Sequence, residues 1–434
     1  MQLTIHRGTQ EIGGSCLEVV SGKTRLILDV GMPLLDRKGN SLDWMRLGQA
    51  SKEELDSRGL IPPVSGLFSA GSPPAAIVLT HGHLDHTGLV DRTDPTIPIY
   101  ATRGTSKMML AGNLFARQVA LPRERSRELT PRESVEIGAF RVTAFSVDHS
   151  IFGSAALLVE AEGQSLLYSG DLRLHGRKPG MATEIFASCG KREIDVLVME
   201  GTHLGQPQDD QRTEYELEEQ LVAEINSTSG LVLASFSPQH VDRTVSFIRA
   251  AIRTGRTFVA DAYTAFVLHL VSSETRVPVP GKSPGYPVFF PKFLKRSKKR
   301  ELLDRICPFM AEAEIRLEVI LNDPQKYLMV FRPSMISSDF SGELPAECLC
   351  LYSRWYGYLE QPEWRDAVLH LDRVGGRLNE AHASGHIYVD DIRRFIAGVN
   401  PRVVIPVHSF APHEIKQFDC NVQLLSDGMP LELE

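Results

Sequence analysis

The sequence has 434 residues, which is too long for one ordinary hydrophobic core, so we expect one large domain or two medium ones. Its 42% hydrophobic and 23% charged residues are typical of a soluble globular protein, and no run of about 18 apolar residues predicts a membrane span. A net charge of −7 argues against nucleic-acid affinity over the whole surface, although it leaves a local basic groove open.

The cysteine pattern and the first residues indicate the compartment. The six cysteines are scattered without a CxxC pair, which is typical of free thiols in a reducing environment. Cys348 and Cys350 fit the alternation of a strand better than a zinc knuckle. Residues 1–8 lack the apolar core of a signal peptide. We therefore expect a cytoplasmic protein.

The chain begins with predicted strands. Residues 3–5 and 16–20 alternate like strands, and Gly13-Gly14 forms a turn between them. Residues 25–31 form an apolar strand that ends near a carboxylate, Asp29. This carboxylate either accepts a ring N–H and thereby orients a ligand histidine, or it caps a loop. Both interpretations stay open.

The most informative stretch follows an apolar strand over 75–79. Four side chains that can bind a metal then occur within six residues: His81, His83, Asp85 and His86. A loop at the carboxyl end of a strand is where α/β proteins place their chemistry, and imidazole with carboxylate suits zinc or a similar divalent ion. His81 and His83 can converge on one ion, whereas Asp85 and His86 point elsewhere, so we expect a second ion.

This HxHxDH pattern resembles the signature of the metallo-β-lactamase superfamily of hydrolases, which implies further ligands at later strand ends. His149 ends an alternating strand pair over 134–147 and fits the third ligand of the first ion. Asp171 follows a glycine at a strand end and fits a bridge between two ions. The plainer alternatives are a packed histidine and a turn-forming aspartate.

The pattern changes near residue 205. Helices and strands then alternate as β-α-β, which predicts a second domain with a parallel sheet. Residues 277–291 contain five prolines and read as a loop. Residues 292–300 carry six basic side chains and no acidic one, which indicates either a solvated helix face or a phosphate contact. Residues 342–358 bring Trp355 and several tyrosines, which either stack on bases or belong to the core.

The end of the chain returns to site chemistry. His382, Ser384 and His386 precede a predicted helix over 389–397. His408 ends an apolar strand, where a sheet would again deliver a ligand. It therefore fits the missing ligand of the second ion.

With these residues assembled, the chain resembles a β-CASP nuclease of the metallo-β-lactamase superfamily, such as ribonuclease J and the cleavage-and-polyadenylation nucleases. The likeness rests on the Gly-Thr-Gln-Glu-Ile-Gly-Gly opening, the histidine loop, and the segments around His149 and Asp171. Glu200-Gly-Thr-His, Ser384-Gly-His386 and Pro-Val-His408 match the three β-CASP motifs. It implies an αββα metallo-β-lactamase sandwich (1–204 and 376–434) with an inserted α/β β-CASP domain (205–375), whose parallel sheet is flanked by helices.

The resemblance also implies a mechanism with two divalent ions, zinc in the first place and manganese as the alternative. Their expected ligands are His81, His83 and His149 for one ion, Asp85, His86 and His408 for the other, and Asp171 for both. A hydroxide bridging the ions would attack phosphorus, and His386 would protonate the leaving oxygen as general acid. Glu200 would keep His386 protonated, and Ser384 and His382 would touch a flanking phosphate.

The expected substrate is single-stranded RNA, because RNA-acting members carry histidine at the position of His408. A DNA nuclease and a small-molecule hydrolase of a thioester or lactone stay open as alternatives. A scaffold without activity is disfavoured because all seven ligand positions are filled. Exonuclease or endonuclease action and a homodimer are likewise open, and no membrane partner is expected.

Overall fold

The computed structural model describes residues 1–36, 41–48, 50–190, 192–208, 211–280, 285–295 and 297–433. The chain divides into two compact units, the first formed by 1–210 with 385–434 and the second by 211–384. The sequence placed these boundaries after residues 204 and 375. The second boundary lies later because residues 377–380 form a strand that pairs within the sheet of the second unit.

The described residues form the following strands and helices. The strands are β1 (Gln2–Arg7), β2 (Cys16–Ser21), β3 (Thr24–Leu28), β4 (Ala76–Val78), β5 (Ile99–Thr102), β6 (Ser126–Leu129), β7 (Ser134–Ile137), β8 (Phe140–Ser146), β9 (Ala155–Ala161), β10 (Gln164–Tyr168), β11 (Ile194–Glu200), β12 (Val232–Ser235), β13 (Thr257–Asp261), β14 (Val288–Phe289), β15 (Tyr327–Val330), β16 (Leu349–Tyr352), β17 (Arg377–Glu380), β18 (Pro401–Val407) and β19 (Pro430–Glu432). The α-helices are α1 (Trp44–Leu47), α2 (Lys52–Ser57), α3 (Leu84–Thr87), α4 (Arg103–Ala116), α5 (Gly180–Cys189), α6 (Glu214–Asn226), α7 (Val241–Arg253), α8 (Ala262–Val271), α9 (Lys292–Lys295), α10 (Lys298–Ile306), α11 (Pro308–Glu312), α12 (Leu317–Asn322), α13 (Ser334–Ser338), α14 (Pro362–Arg373) and α15 (Val389–Val399).

Two sheets of the first unit enclose a common core. Their strand orders, among the described residues, are β19-β1-β2-β3-β4-β5-β6 and β18-β11-β10-β9-β8-β7. Successive side chains of a strand point to opposite faces, so an apolar strand serves two cores. Leu166 and Val198 face the core between the sheets, whereas Leu167 and Leu197 face outward.

The outward faces are covered by helices and loops. Ile77 and Leu79 of the first sheet pack with Leu55 of α2 and Met109 of α4. On the second sheet, Leu167 and Leu197 pack in one cluster with Ile185 of α5 and Phe395 of α15. The result is the predicted αββα sandwich, and the fold prediction is confirmed.

The second unit contains the predicted parallel sheet, with the order β14-β13-β15-β12-β16-β17 in its described part. Cys348 and Cys350 lie in one apolar cluster on this sheet together with Trp364 and Leu371 of α14. All six cysteines are free thiols. The short strand β14 lies within 277–291, which the prolines had predicted as a loop; residues 281–284 of that range are outside the described part.

No helix in the described ranges is long and apolar enough to cross a membrane.

Candidate metal centre

The predicted histidine loop follows β4 and leads directly into α3. His81 and His83 lie in the loop, and Asp85 and His86 lie in the single turn of α3. Backbone hydrogen bonds fix α3 from the neighbouring strand end, including 2.8 Å from Val30 N to His86 O. Gly31 is required there, because a Cβ atom would lie 1.7 Å from the Asp85 carbonyl oxygen.

His81, His83 and His149 form one cluster of potential ligand atoms. His83 Nδ1 lies 3.1 Å from His81 Nε2 and 3.2 Å from His149 Nε2. His149 follows β8, so two strand ends of different sheets deliver this cluster.

In His81 and His149, the ring nitrogen that points away from the cluster, Nδ1, is hydrogen-bonded to the protein. His149 Nδ1 donates to the Gly385 carbonyl at 2.6 Å, and Gly385 permits this approach because a Cβ atom would lie 2.5 Å from Ser150 Oγ. The Thr80 hydroxyl donates to Asp29 at 2.7 Å and lies 3.0 Å from His81 Nδ1, so it accepts from that ring. In the neutral rings of His81 and His149, the lone pair therefore lies on Nε2, which faces the cluster.

A second cluster contains Asp85, His86, Asp171 and His408. His408 Nε2 lies 3.2 Å from Asp85 Oδ2, and His86 Nε2 lies 3.2 Å from Asp171 Oδ2. The outer nitrogen of His86 donates to Asp29 Oδ2 at 2.8 Å. Asp171 follows β10, and His408 follows β18. The backbone of His408 is in the left-handed region, with φ 53°.

Asp171 lies between the two clusters. Its Oδ2 atom is 3.7 Å from His81 Nε2 and 3.8 Å from His149 Nε2, in addition to its contact with His86. Neither carboxylate oxygen of Asp171, nor His86 Nε2, has a hydrogen-bond partner among the described residues, and all three atoms are buried. Burying such atoms unpaired is costly, whereas a divalent cation coordinates both imidazole nitrogen and carboxylate oxygen. The donor set therefore fits metal ions.

The electrostatics of the centre divide its histidines into two kinds. Burial lowers the pKa of His81 and His149 well below the usual range, and it lowers the pKa of His83 to about 4. These rings are therefore neutral, which is the form that binds metals. Burial also opposes a charge on His86, but the carboxylates of Asp171 and Asp29 outweigh it and raise the pKa of His86 well above its usual value.

Beside these clusters lies a histidine held by a carboxylate. His386 Nδ1 is 3.2 Å from Glu200 Oε2 and 3.7 Å from Asp171 Oδ2. Glu200 is fully buried at the end of β11 and accepts from the backbone N–H of Leu172 at 3.0 Å. Burial lowers the pKa of His386, but the charges of Glu200 and Asp171 outweigh it and raise this pKa to about 9. The ring is therefore protonated at neutral pH.

The structure thus places nine predicted site residues of the first unit together. They are His81, His83, Asp85, His86, His149, Asp171, Glu200, His386 and His408. Asp29 lies against His86, where it orients the ring. His382 belongs to the second unit, where its Nδ1 atom lies 3.3 Å from Arg243 Nη1, and the predicted Ser384 ends that unit.

Sequence reasoning missed three hydroxyl groups of the site. Thr202 Oγ1 lies 3.1 Å from His386 Nδ1 and 3.0 Å from His408 Nδ1. Tyr168 donates to Asp29 at 3.1 Å, and Thr80 bonds both Asp29 and His81. Thr202 stands two residues after Glu200, so its place in that motif was a usable signal. Tyr168 alternates like a core residue and gives no such signal.

Comparison with known proteins identifies a related domain and a shared fold. A model of the β-lactamase superfamily domain matches residues 52–224. A crystal structure of a protein of unknown function from Enterococcus faecalis V583 has the same fold, with a TM-score of 0.80, 21% identity and 99% of each chain covered. Residues 52–224 are thus similar to a β-lactamase superfamily domain, and the chain as a whole shares the fold of the Enterococcus protein.

The chain is also similar to ribonuclease J. The ribonuclease J of Methanocaldococcus jannaschii is 24% identical over 467 aligned positions, which cover 98% of this chain and 97% of that protein. The ribonuclease J of Mycolicibacterium smegmatis is 25% identical over 369 positions, which cover 78% of this chain and 59% of that protein. The chain spans 58–63% of the length of several such relatives. The predicted resemblance to ribonuclease J is confirmed.

Proposed function

We propose that this protein is a metal-dependent ribonuclease that hydrolyses phosphodiester bonds of single-stranded RNA. The observation that carries the proposal is the convergence of seven imidazole and carboxylate side chains on a buried centre, with the orphaned atoms of His86 and Asp171 in its middle. The similarity to ribonuclease J supports RNA as the substrate class.

In this proposal the two clusters hold two divalent ions. His81, His83 and His149 would bind one ion, and Asp85, His86 and His408 the other. Asp171 would bind both, because its carboxylate lies within 4 Å of histidines from each cluster. Zinc suits this mixture of imidazole and carboxylate best, and manganese is the alternative. Such ions supply charge neutralisation at the phosphoryl oxygens and a water acidic enough to act as nucleophile near neutral pH.

His386 is the proposed proton donor to the leaving 3′-oxygen. Its Nδ1 atom faces Glu200 at 3.2 Å, so Nδ1–H donates a hydrogen bond to this carboxylate and the Nε2 proton is left for transfer. The protonated state at neutral pH, which Glu200 and Asp171 favour, suits a general acid. Thr202 would orient the ring together with that of His408.

Ser384 and His382 are proposed to contact a phosphate next to the scissile one. The segment before Ser384 is firmly held, because Arg243 donates to the Ala383 carbonyl at 2.7 Å. Arg243 is itself fully buried and paired with Glu214 at 2.8 Å. A buried ion pair thus fixes the backbone that presents these two polar side chains.

We also propose that the protein works in a reducing compartment such as the cytoplasm. Its six cysteines are all free, and burial raises the pKa of Cys16, Cys348 and Cys350, which keeps those thiols protonated and unreactive.

The test compares 5′-labelled single-stranded RNA and DNA of the same sequence, with zinc-loaded or manganese-loaded protein. We expect cleavage of the RNA, much slower cleavage of the DNA, and no cleavage by an Asp85→Ala/His86→Ala double variant. Release of labelled mononucleotide would identify a 5′-exonuclease, and internal fragments an endonuclease. If metal-loaded protein cleaves neither strand, the proposal is wrong, and a small-molecule ester becomes the substrate class to test.

A further inference from the structure

Three aromatic side chains are exposed together on the second unit. Trp355, Tyr356 and Tyr358 directly follow β16 and are 56%, 68% and 42% exposed. They are half of the large aromatic side chains that are clearly exposed in the described residues; the others are Tyr215, Phe293 and Phe410. Clustered exposed aromatic surface is a mark of an interaction site. We call these three residues the aromatic platform.

The platform is held in place from beneath. The Tyr352 hydroxyl, on a ring buried at the end of β16, donates to the Trp355 carbonyl at 2.8 Å. The Trp355 ring covers Gly357 so closely that a Cβ atom there would lie 2.3 Å from it. The Trp355 ring lies 5.5 Å from the Tyr356 ring and 5.4 Å from the Tyr358 ring, centre to centre. The rings are therefore presented in a fixed arrangement.

An unpaired cation lies beside the platform. Arg354 is partly buried, its guanidinium lies 5.9 Å from the centre of the Tyr358 ring, and it makes no hydrogen bond or ion pair with any described residue. Burial, and the nearby positive charge of Arg332, lower the pKa of Arg354. A partly buried charge without a partner is unfavourable, so this position favours an anion supplied by a ligand.

The charged groups nearby are already matched within the unit. Arg332 is paired with Asp261 at 2.5 Å, and Glu360 with Arg365 at 2.6 Å. In the basic run over 292–300, of which residue 296 lies outside the described part, Lys295 and Arg300 both pair with Glu314 and Lys292 donates to the Asp339 carbonyl. Arg354, in contrast to these paired cations, can take an external anion without giving up a described ion pair.

The segment also lies where ligands commonly bind in α/β folds. It follows the carboxyl end of β16, which pairs in parallel with β12 and β17 in the sheet. Loops at the carboxyl ends of parallel strands form the binding crevices of such sheets.

We propose that the aromatic platform binds single-stranded RNA, with its rings stacked on bases and Arg354 in contact with a backbone phosphate. Flat rings next to one cation suit a chain that alternates bases and phosphates, because every base offers a face for stacking. This role rests on the proposed ribonuclease function, because the RNA bound by the platform would be the substrate of the metal centre.

The test measures binding of a fluorescein-labelled, single-stranded 20-nucleotide RNA to the full chain in EDTA by fluorescence anisotropy. Loss of stacking on one base should raise the Kd of Trp355→Ala by about 5- to 150-fold. Trp355→Phe keeps a ring and should stay close to wild type. Tyr215→Ala, at 55% exposure on α6, is the matched control and should not change Kd.

Two further measurements separate stacking from charge. On an RNA of abasic residues the effect of Trp355→Ala should disappear, because no base remains to stack. Arg354→Gln should reduce the slope of log K against log salt by roughly 0.7, which is the value for one phosphate of a single strand.

The outcomes distinguish this inference from the proposed function. If wild-type protein cleaves RNA but Trp355→Ala binds it equally well, the inference is wrong, the function stands, and a protein partner becomes the candidate occupant. An effect of Trp355→Ala that persists on abasic RNA also contradicts stacking. If wild-type protein neither binds nor cleaves RNA, both proposals fail.

Discussion

The metal centre of the first unit and the aromatic platform of the second unit leave different groups unsatisfied. In the centre, the buried His86 Nε2 and the carboxylate oxygens of Asp171 have no hydrogen-bond partner among the described residues, while the outer nitrogens of His86 and His149 are hydrogen-bonded. On the platform, apolar rings face solvent beside one unpaired guanidinium. A small, enclosed set of ligand atoms selects an ion, whereas an open set of rings selects an extended chain. We therefore expect the metal centre to carry the chemical step and the platform to carry RNA binding. Five substitutions test this division.

Removing the carboxylate shared by the two clusters should have the largest effect. Asp171→Ala should lower kcat by at least about 10³-fold, equivalent to about 4 kcal/mol of barrier, because both ions lose a ligand. Metal analysis of the purified variant should show fewer bound ions than wild type. Asp56→Ala, at an exposed carboxylate on α2, is the control and should match wild type in both measurements. Full metal content with normal activity in the Asp171 variant would contradict the assignment.

Removing the proposed proton donor should lower the rate without removing metal. His386→Ala should reduce kcat by roughly 10²- to 10⁴-fold, as expected for loss of a general acid. The control, His413→Ala, changes an exposed histidine of the same unit. Loss of metal together with activity would show that His386 is a ligand, which the cluster of Asp171, Glu200, His386 and His408 makes a real alternative.

Removing the charge of Asp29 should act on metal affinity. Asp29 holds His86, Thr80 and Tyr168, so Asp29→Asn should weaken metal binding by roughly 10- to 100-fold. Asparagine is chosen because Asp29 has φ 59°, a conformation that asparagine tolerates. Competition with a chelator gives the affinity. An unchanged affinity would mean that Asp29 serves only to hold the loop.

The pH profile tests Glu200. His386 must be protonated to act, so activity should fall as pH rises through its pKa, which the Glu200 carboxylate raises. Glu200→Gln lowers that pKa and should move the alkaline limb of kcat to lower pH by about one unit. The variant should therefore lose most activity at high pH and least at neutral pH. An unmoved limb would contradict the role of Glu200.

The smallest effect is expected on the platform. Gly357→Ala removes no ring but forces the Trp355 ring to move, because the new Cβ atom would lie 2.3 Å from it. RNA binding should weaken by roughly three- to tenfold, less than the loss of a ring, with kcat at saturating RNA unchanged. A change in kcat instead of KM would contradict the division between chemistry and binding.

How much of this was predictable from sequence differs between the two regions. The ligand positions were predicted because each lies in the loop or short helix that follows an apolar strand, and strand ends of packed sheets converge. The hydroxyls of Thr80 and Tyr168 were not, since their partners are far away in sequence. The platform was left undecided between core and stacking surface, because a run of aromatic residues is compatible with both until burial is known. The second unit ends at residue 384 and the predicted boundary is 375; the strand between them, β17, is short and polar and gives little signal in the sequence.

The most direct test of the central claim is a metal titration of RNA cleavage. Metal-free protein is mixed with increasing equivalents of zinc or manganese, and hydrolysis of a 5′-labelled single-stranded RNA is measured at each step. We expect no cleavage without metal and full activity at about two equivalents per chain, the stoichiometry of a two-metal site. Cleavage that is unaffected by EDTA, or no cleavage by the fully loaded protein, would contradict the claim.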